Sequence, residues 1–135
     1  MSNGPYDLSR QPIHLGDDQL AFALEDFAFD SPSFEDYVEQ HTDEARPGRL
    51  MMIETSPASW STWECHPHGA EIVHVLEGRG TFFQQNDDGT ANAMAFEPGT
   101  TLINPPGVWH TADVDSPMRA IYITPCIGTS HKPRS

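Results

Sequence analysis

The sequence predicts an all-β domain, a small sandwich or barrel of short antiparallel strands. Three observations carry that prediction. From Arg49 onward, apolar residues recur at the period of two that suits strands, in segments 49–55, 60–66, 71–77, 80–85, 91–96, 100–104, 110–114 and 119–125. Turn residues separate the segments at regular spacing: Ser56-Pro57, Pro67–Gly69, Gly78, Asn86–Gly89, Glu97–Gly99, Pro105–Gly107 and Asp115–Pro117. The chain of 135 residues is long enough for one core and no more.

The elements divide the chain unequally. Residues 1–48 form an acidic, loop-rich arm. Leu20, Phe22 and Leu24 alternate and predict one short strand there. Ser31 is placed to cap a helix with Pro32 at its first position, and Phe34, Tyr37, Val38 and His41 fall at i, i+3, i+4 and i+7. That pattern predicts a short amphipathic helix whose apolar stripe must pack on the barrel or on a partner, because it is too short to stand alone in water. Residues 49–128 are the barrel and 129–135 a C-terminal tail. The chain carries no internal repeat, low-complexity tract or glycine-rich phosphate loop.

The most specific segment is Gly99–His110, GTTLINPPGVWH. Leu102 and Ile103 belong to a strand, Pro105-Pro106-Gly107 cannot continue a ladder, and Trp109-His110 opens the next strand. A rigid corner thus delivers His110 at a strand start. The order G-x5-P-x-G-x2-H resembles the second motif of the cupin superfamily, in which that histidine is a metal ligand at the mouth of a small barrel. The first cupin motif, H-x-H-x3–4-E-x6-G, has a counterpart in Glu64-Cys65-His66-Pro67-His68-Gly69-Ala70-Glu71 followed by Gly78. Glu71 to Gly78 fits. Taking His66 and His68 as the histidine pair leaves one residue too few before Glu71. Taking His66 as the second histidine restores the spacing and puts Glu64 in the first position. The second register is preferred, since Pro67 and Gly69 mark a loop and leave His68 off the strand. The leading glycine of the first motif and the closing asparagine of the second (here Val114) are absent. The resemblance covers residues 50–126 and implies a double-stranded β-helix, or jelly-roll, barrel.

Strand alternation tells which side chains converge in such a barrel. Glu64 and His66 share a face with Thr62 and Trp60, opposite Trp63 and Cys65. If Glu71 points inward, Val73, Val75 and Glu77 do too, and His74 points away. With His110 brought to the same mouth, the resemblance implies a ligand set of Glu64, His66, Glu71 and His110, with Glu64 and His110 also the candidate catalytic groups. Two imidazoles and two carboxylates suit a divalent transition metal, Fe, Mn, Zn or Ni. His14, His41 and His131 are expected at the surface. Cys65 and Cys126 are expected as small buried hydrophobes.

Composition narrows the function classes. The formal net charge of −13 argues against nucleic acid or an anionic membrane as partner. Ten of the twenty acidic residues fall between Asp17 and Glu44, in a stretch without Lys or Arg that reads as a solvated face. Two cysteines make no disulfide framework and point to a reducing cytoplasm. No apolar run is long enough to cross a bilayer, and the first ten residues lack a secretory pattern. Three readings remain. One is a metal-dependent enzyme for a small organic molecule, of dioxygenase, isomerase, lyase or cyclase type. Another is a metal-free binding or sensory barrel that holds an apolar or carboxylated ligand lined by Trp63 or Trp109 and Phe side chains. The third is a dimerisation module. The reading adopted is a single-domain barrel with a mononuclear metal site, expected to form a homodimer through edge strands or the N-terminal arm.

Overall fold

The computed structural model describes residues 3–24 and 48–134. Every regular element among them is a strand. β1 (Ile13–Leu15) and β2 (Ala21–Ala23) make a small hairpin. β3 (Arg49–Ser56), β4 (Thr62–Cys65), β5 (Glu71–Gln85) and β6 (Ala91–Phe96) follow. β7 (Thr101–Asn104), β8 (His110–Thr124) and β9 (Ser130–Pro133) complete the order. The helix expected over residues 31–41, with His41, lies outside the described residues.

All pairings are antiparallel, in the path β2-β1-β3-β8-β4-β9, with β5 bridging β8 to β6 and β7. The spine is formed by β5 and β8, of 15 residues each, where the sequence suggests two strands apiece. Both strands run on because the irregularity is absorbed by bulges between Val75 and Gly80. Gly78 adopts φ 98°, and a Cβ there would run into the Pro117 carbonyl. At Gly80 a Cβ would meet the Asp113 carbonyl and the Phe96 ring. Glycine at both positions therefore lets the two long strands approach and bend. The same bulges turn Glu77 outward, where simple alternation from Glu71 places it inward; Glu71, Val73 and Val75 are buried and Glu77 is exposed.

The core lies between the inner faces. Leu50, Met52, Val73, Val75, Phe82, Phe96, Ala112, Met118, Ala120, Tyr122 and Cys126 form one buried cluster. The Phe82 and Phe96 rings stack at 4.7 Å. The N-terminal hairpin extends the sheet, with His14 paired opposite Leu50. That register buries His14, expected at the surface, against the Phe22 ring at 4.8 Å. Three residues carry too little periodicity to show a buried face, so the position could not be read from sequence. The residues expected as a C-terminal tail include β9, which pairs with β4.

Candidate metal centre

Three strands meet at one end of the barrel. β4 carries Glu64 and leads directly to His66, β5 begins at Glu71, and β8 begins at His110. Glu64 pairs with His110 across β4 and β8. Residues two apart on a strand share a face, so Glu64 and His66 point together toward the other two. One ligand atom from each of the four residues lies within 4.8 Å of the others. This is the set named from the sequence. His68 stands apart in the exposed loop after His66, as the preferred register requires.

The four side chains form a ring of alternating imidazole and carboxylate. His66 Nε2 lies 2.9 Å from Glu64 Oε1 and 3.2 Å from Glu71 Oε2. His110 Nε2 lies 3.3 Å from Glu64 Oε1 and 3.3 Å from Glu71 Oε1. Burial alone would depress both imidazole pKa values. The hydrogen bonds and negative charges of Glu64 and Glu71 outweigh it and lift each to about 9. Burial likewise acts to raise the two carboxyls, but the two histidines hold Glu71 at about 2 and Glu64 well below the usual range. Without an ion, two imidazolium charges therefore balance two carboxylate charges.

A second layer of polar groups orients the ring. Asn104 Nδ2 donates to Glu71 Oε1 at 2.9 Å, and the Thr124 hydroxyl donates to Glu71 Oε2 at 2.7 Å. Gln84 fixes the Asn104 amide by donating to its Oδ1 at 2.9 Å. The Val108 carbonyl, 3.4 Å from His110 Nδ1, can only accept, so Nδ1 carries a proton whether the ring is charged or neutral, and Nε2 faces the cluster. His66 Nδ1 meets the Thr129 hydroxyl at 2.8 Å. His131 Nε2 lies 2.9 Å from the outer oxygen of Glu64, Oε2. Sequence reasoning missed Asn104, Thr124 and Thr129. Their roles come from long-range register, such as Glu71 opposite Asn104, which leaves no local signal. His131 is exposed as expected, yet it touches the site.

A cavity of about 740 Å³ opens beside the ring, with Glu64, His66 and Glu71 in its wall. Met52, Trp60 and Tyr122 give it an apolar side, and Glu54, Thr62, Thr124 and Cys126 join them. Trp63 and Trp109, the expected aromatic lining, are outside it: Trp63 alternates away from Glu64, and Trp109 lies under the Lys132 ammonium at 4.5 Å. Burial pushes the Cys126 thiol up to about 12, with the charge of Glu71 adding to the effect, so it lines the wall as an unreactive thiol. Both cysteines are free and buried. Glu54 is raised by desolvation and by the charges of Glu64 and Glu71, a sign of negative potential at the cavity wall.

Residues 51–124 match the cupin domain family, and the chain belongs to it. No curated protein matches the chain. Among solved structures, a point mutant of the Bacillus subtilis oxalate decarboxylase is similar at 17% identity and a TM-score of 0.53, over 64% of this chain and 24% of that one. Hydroxypropylphosphonic acid epoxidase from S. wedmorenis, in complex with fosfomycin, matches at 13% identity and a TM-score of 0.48, over 56% of this chain and 43% of the enzyme. Protein NMB1881 from Neisseria meningitidis matches at 17% identity and a TM-score of 0.48, over 57% of this chain and 74% of that one. The chain spans less than half the length of either enzyme. These likenesses describe the fold.

Proposed function

We propose that this cupin is a metal-dependent enzyme whose mononuclear centre is held by Glu64, His66, Glu71 and His110, and which acts on a small organic molecule in the adjoining cavity. The observation that carries the reading is the convergence of four donor atoms within 4.8 Å on three separate strands. The donor set fits a divalent transition ion, and the orienting partners on Nδ1 of both histidines and on both oxygens of Glu71 are the kind that fix ligands around a metal. The similar oxalate decarboxylase carries Mn(II) centres, which agrees with the reading. A bound ion would supply Lewis acidity, or a site for dioxygen or water, and so the oxygenase, isomerase, lyase and cyclase classes stay in view. Of the two candidate catalytic groups, Glu64, whose side chain is 24% exposed, borders the cavity, while His110 is enclosed at 1%. A reducing cytoplasm, in keeping with the two free cysteines, and a homodimer through edge strands or the N-terminal arm complete the proposal.

A second reading has its own support. The ring already pairs its charges by hydrogen bonds, which suits a metal-free barrel that binds an organic ligand against Met52, Trp60 and Tyr122. Calorimetric titration of ion-free protein with Mn(II), Fe(II), Zn(II) and Ni(II) separates the two. The metalloenzyme reading expects binding of one ion per chain, lost by about a hundredfold or more in His110→Ala and kept within about twofold in His68→Ala. Wild-type protein that binds none of the four ions supports the metal-free reading.

A further inference from the structure

The centre leans on the C-terminal strand. Four contacts outside the site pin β9 and the residue after it. Lys132 Nζ donates to Gln85 Oε1 at 2.9 Å and covers the Trp109 ring at 4.5 Å. Arg134 donates to the Trp60 carbonyl at 3.0 Å and to Asp113 at 2.7 Å. Pinned in this way, β9 pairs with β4 so that His131 stands opposite Glu64. The turn before it passes Gly128, where a Cβ would touch the His68 imidazole at 3.0 Å, so the loop that follows His66 is packed on this same turn. Both groups that reach the ring from this segment touch a proposed ligand on the side away from the cluster: Thr129 Oγ1 at His66 Nδ1 and His131 Nε2 at Glu64 Oε2.

We infer that Thr129 and His131 are positioning residues of the metal centre, Thr129 orienting the His66 ring and His131 holding Glu64 so that a single oxygen faces the cluster. The inference rests on the metal-centre reading of the ring. Glu64 has a flexible stem and partial exposure, and the contacts inside the ring hold only its Oε1, at 2.9 Å from His66 and 3.3 Å from His110. With Oε2 occupied by His131, Oε1 is the oxygen presented to both His66 and His110. His66 is enclosed, at 3% exposure, and a ring nitrogen without a partner there is costly, so the Thr129 hydroxyl selects the orientation that directs Nε2 inward. The first half of the ligand pair in the cupin pattern is a histidine; here a glutamate takes that place and a distant histidine steadies it.

The test uses the full chain without a polyhistidine tag and Co(II) as the probe. Thr129→Val and His131→Ala should each weaken Co(II) binding by about tenfold or more and alter its visible absorption, as loss of a ligand's orienting partner does. Thr129→Ser should retain wild-type affinity and spectrum, and the ion-free melting points of all three variants should stay within a few degrees of wild type. The inference is overturned if Thr129→Val and His131→Ala keep the wild-type affinity and spectrum, or if Thr129→Ser loses as much as Thr129→Val. Wild-type protein that takes up no Co(II) rejects the metal-centre reading instead. Imidazole nitrogen chemical shifts of ion-free protein then decide the positioning: His66 signals moved by Thr129→Val, and His66 and His110 signals moved by His131→Ala, sustain it, and unmoved signals overturn it.

Discussion

Two imidazoles held between two carboxylates give this site an acid–base character that can be measured directly. His66 and His110 are lifted from 6.5 to about 9, so in ion-free protein they add stability that is complete below pH 6.5 and is lost as pH rises through 9. Glu71 is lowered from 4.5 to about 2, and its contribution is present above 4.5 and lost as pH falls through 2. The melting point of ion-free protein should therefore be highest between those limits and decline on the alkaline side. Metal affinity should run the other way. An ion must displace imidazole protons, so binding should tighten about tenfold or more per pH unit between roughly pH 6.5 and 8.5. A melting point that stays level to pH 10, with metal affinity independent of pH, would contradict this charge arrangement. At this scale the four ring residues were legible in the sequence, because three of them sit in motif spacing and Glu64 shares a strand face with His66. Asn104, Thr124 and Thr129 were not, since an amide or hydroxyl brought against Glu71 or His66 from a distant segment has no pattern of its own.

At the scale of elements, the strands of the barrel were legible from period-two alternation and from turns at Pro and Gly, while the two long strands were not. A bulge looks like a turn in sequence: Gly78 and Pro117 suggest breaks, and the structure instead carries β5 and β8 past each other there. Gly80→Ala tests that crossing. A methyl group would press on the Asp113 carbonyl and the Phe96 ring, so the variant should lose about 1–3 kcal/mol, read as a lowered urea midpoint. Wild-type stability in Gly80→Ala would mean that the strands can separate at the bulge without cost. The N-terminal hairpin offers a second test. β1 covers the outer edge of β3 and buries His14 beside it, and an uncovered edge strand is a template for association. Protein starting near Arg49 should melt lower by several degrees and aggregate. Unchanged melting and oligomeric state would show that the arm adds nothing to the barrel.

Over the whole molecule, one small barrel supports both core and site. The apolar cluster around Phe82, Phe96 and Met118 continues through Met52, Tyr122 and Cys126 into the cavity wall, where polar groups take over at the open end. Fold family was legible because the corner that delivers His110 has a distinctive sequence, whereas substrate was not, because the cavity wall is assembled from β3, β4, β5, β8 and the C-terminal segment. The proposal that this open end is a metal centre stands on elemental analysis of tag-free protein: close to one Fe, Mn, Zn or Ni per chain in the wild type and a small fraction of that in His110→Ala. Wild-type protein that is metal-free as purified, and remains so after dialysis against each of the four ions, would contradict it.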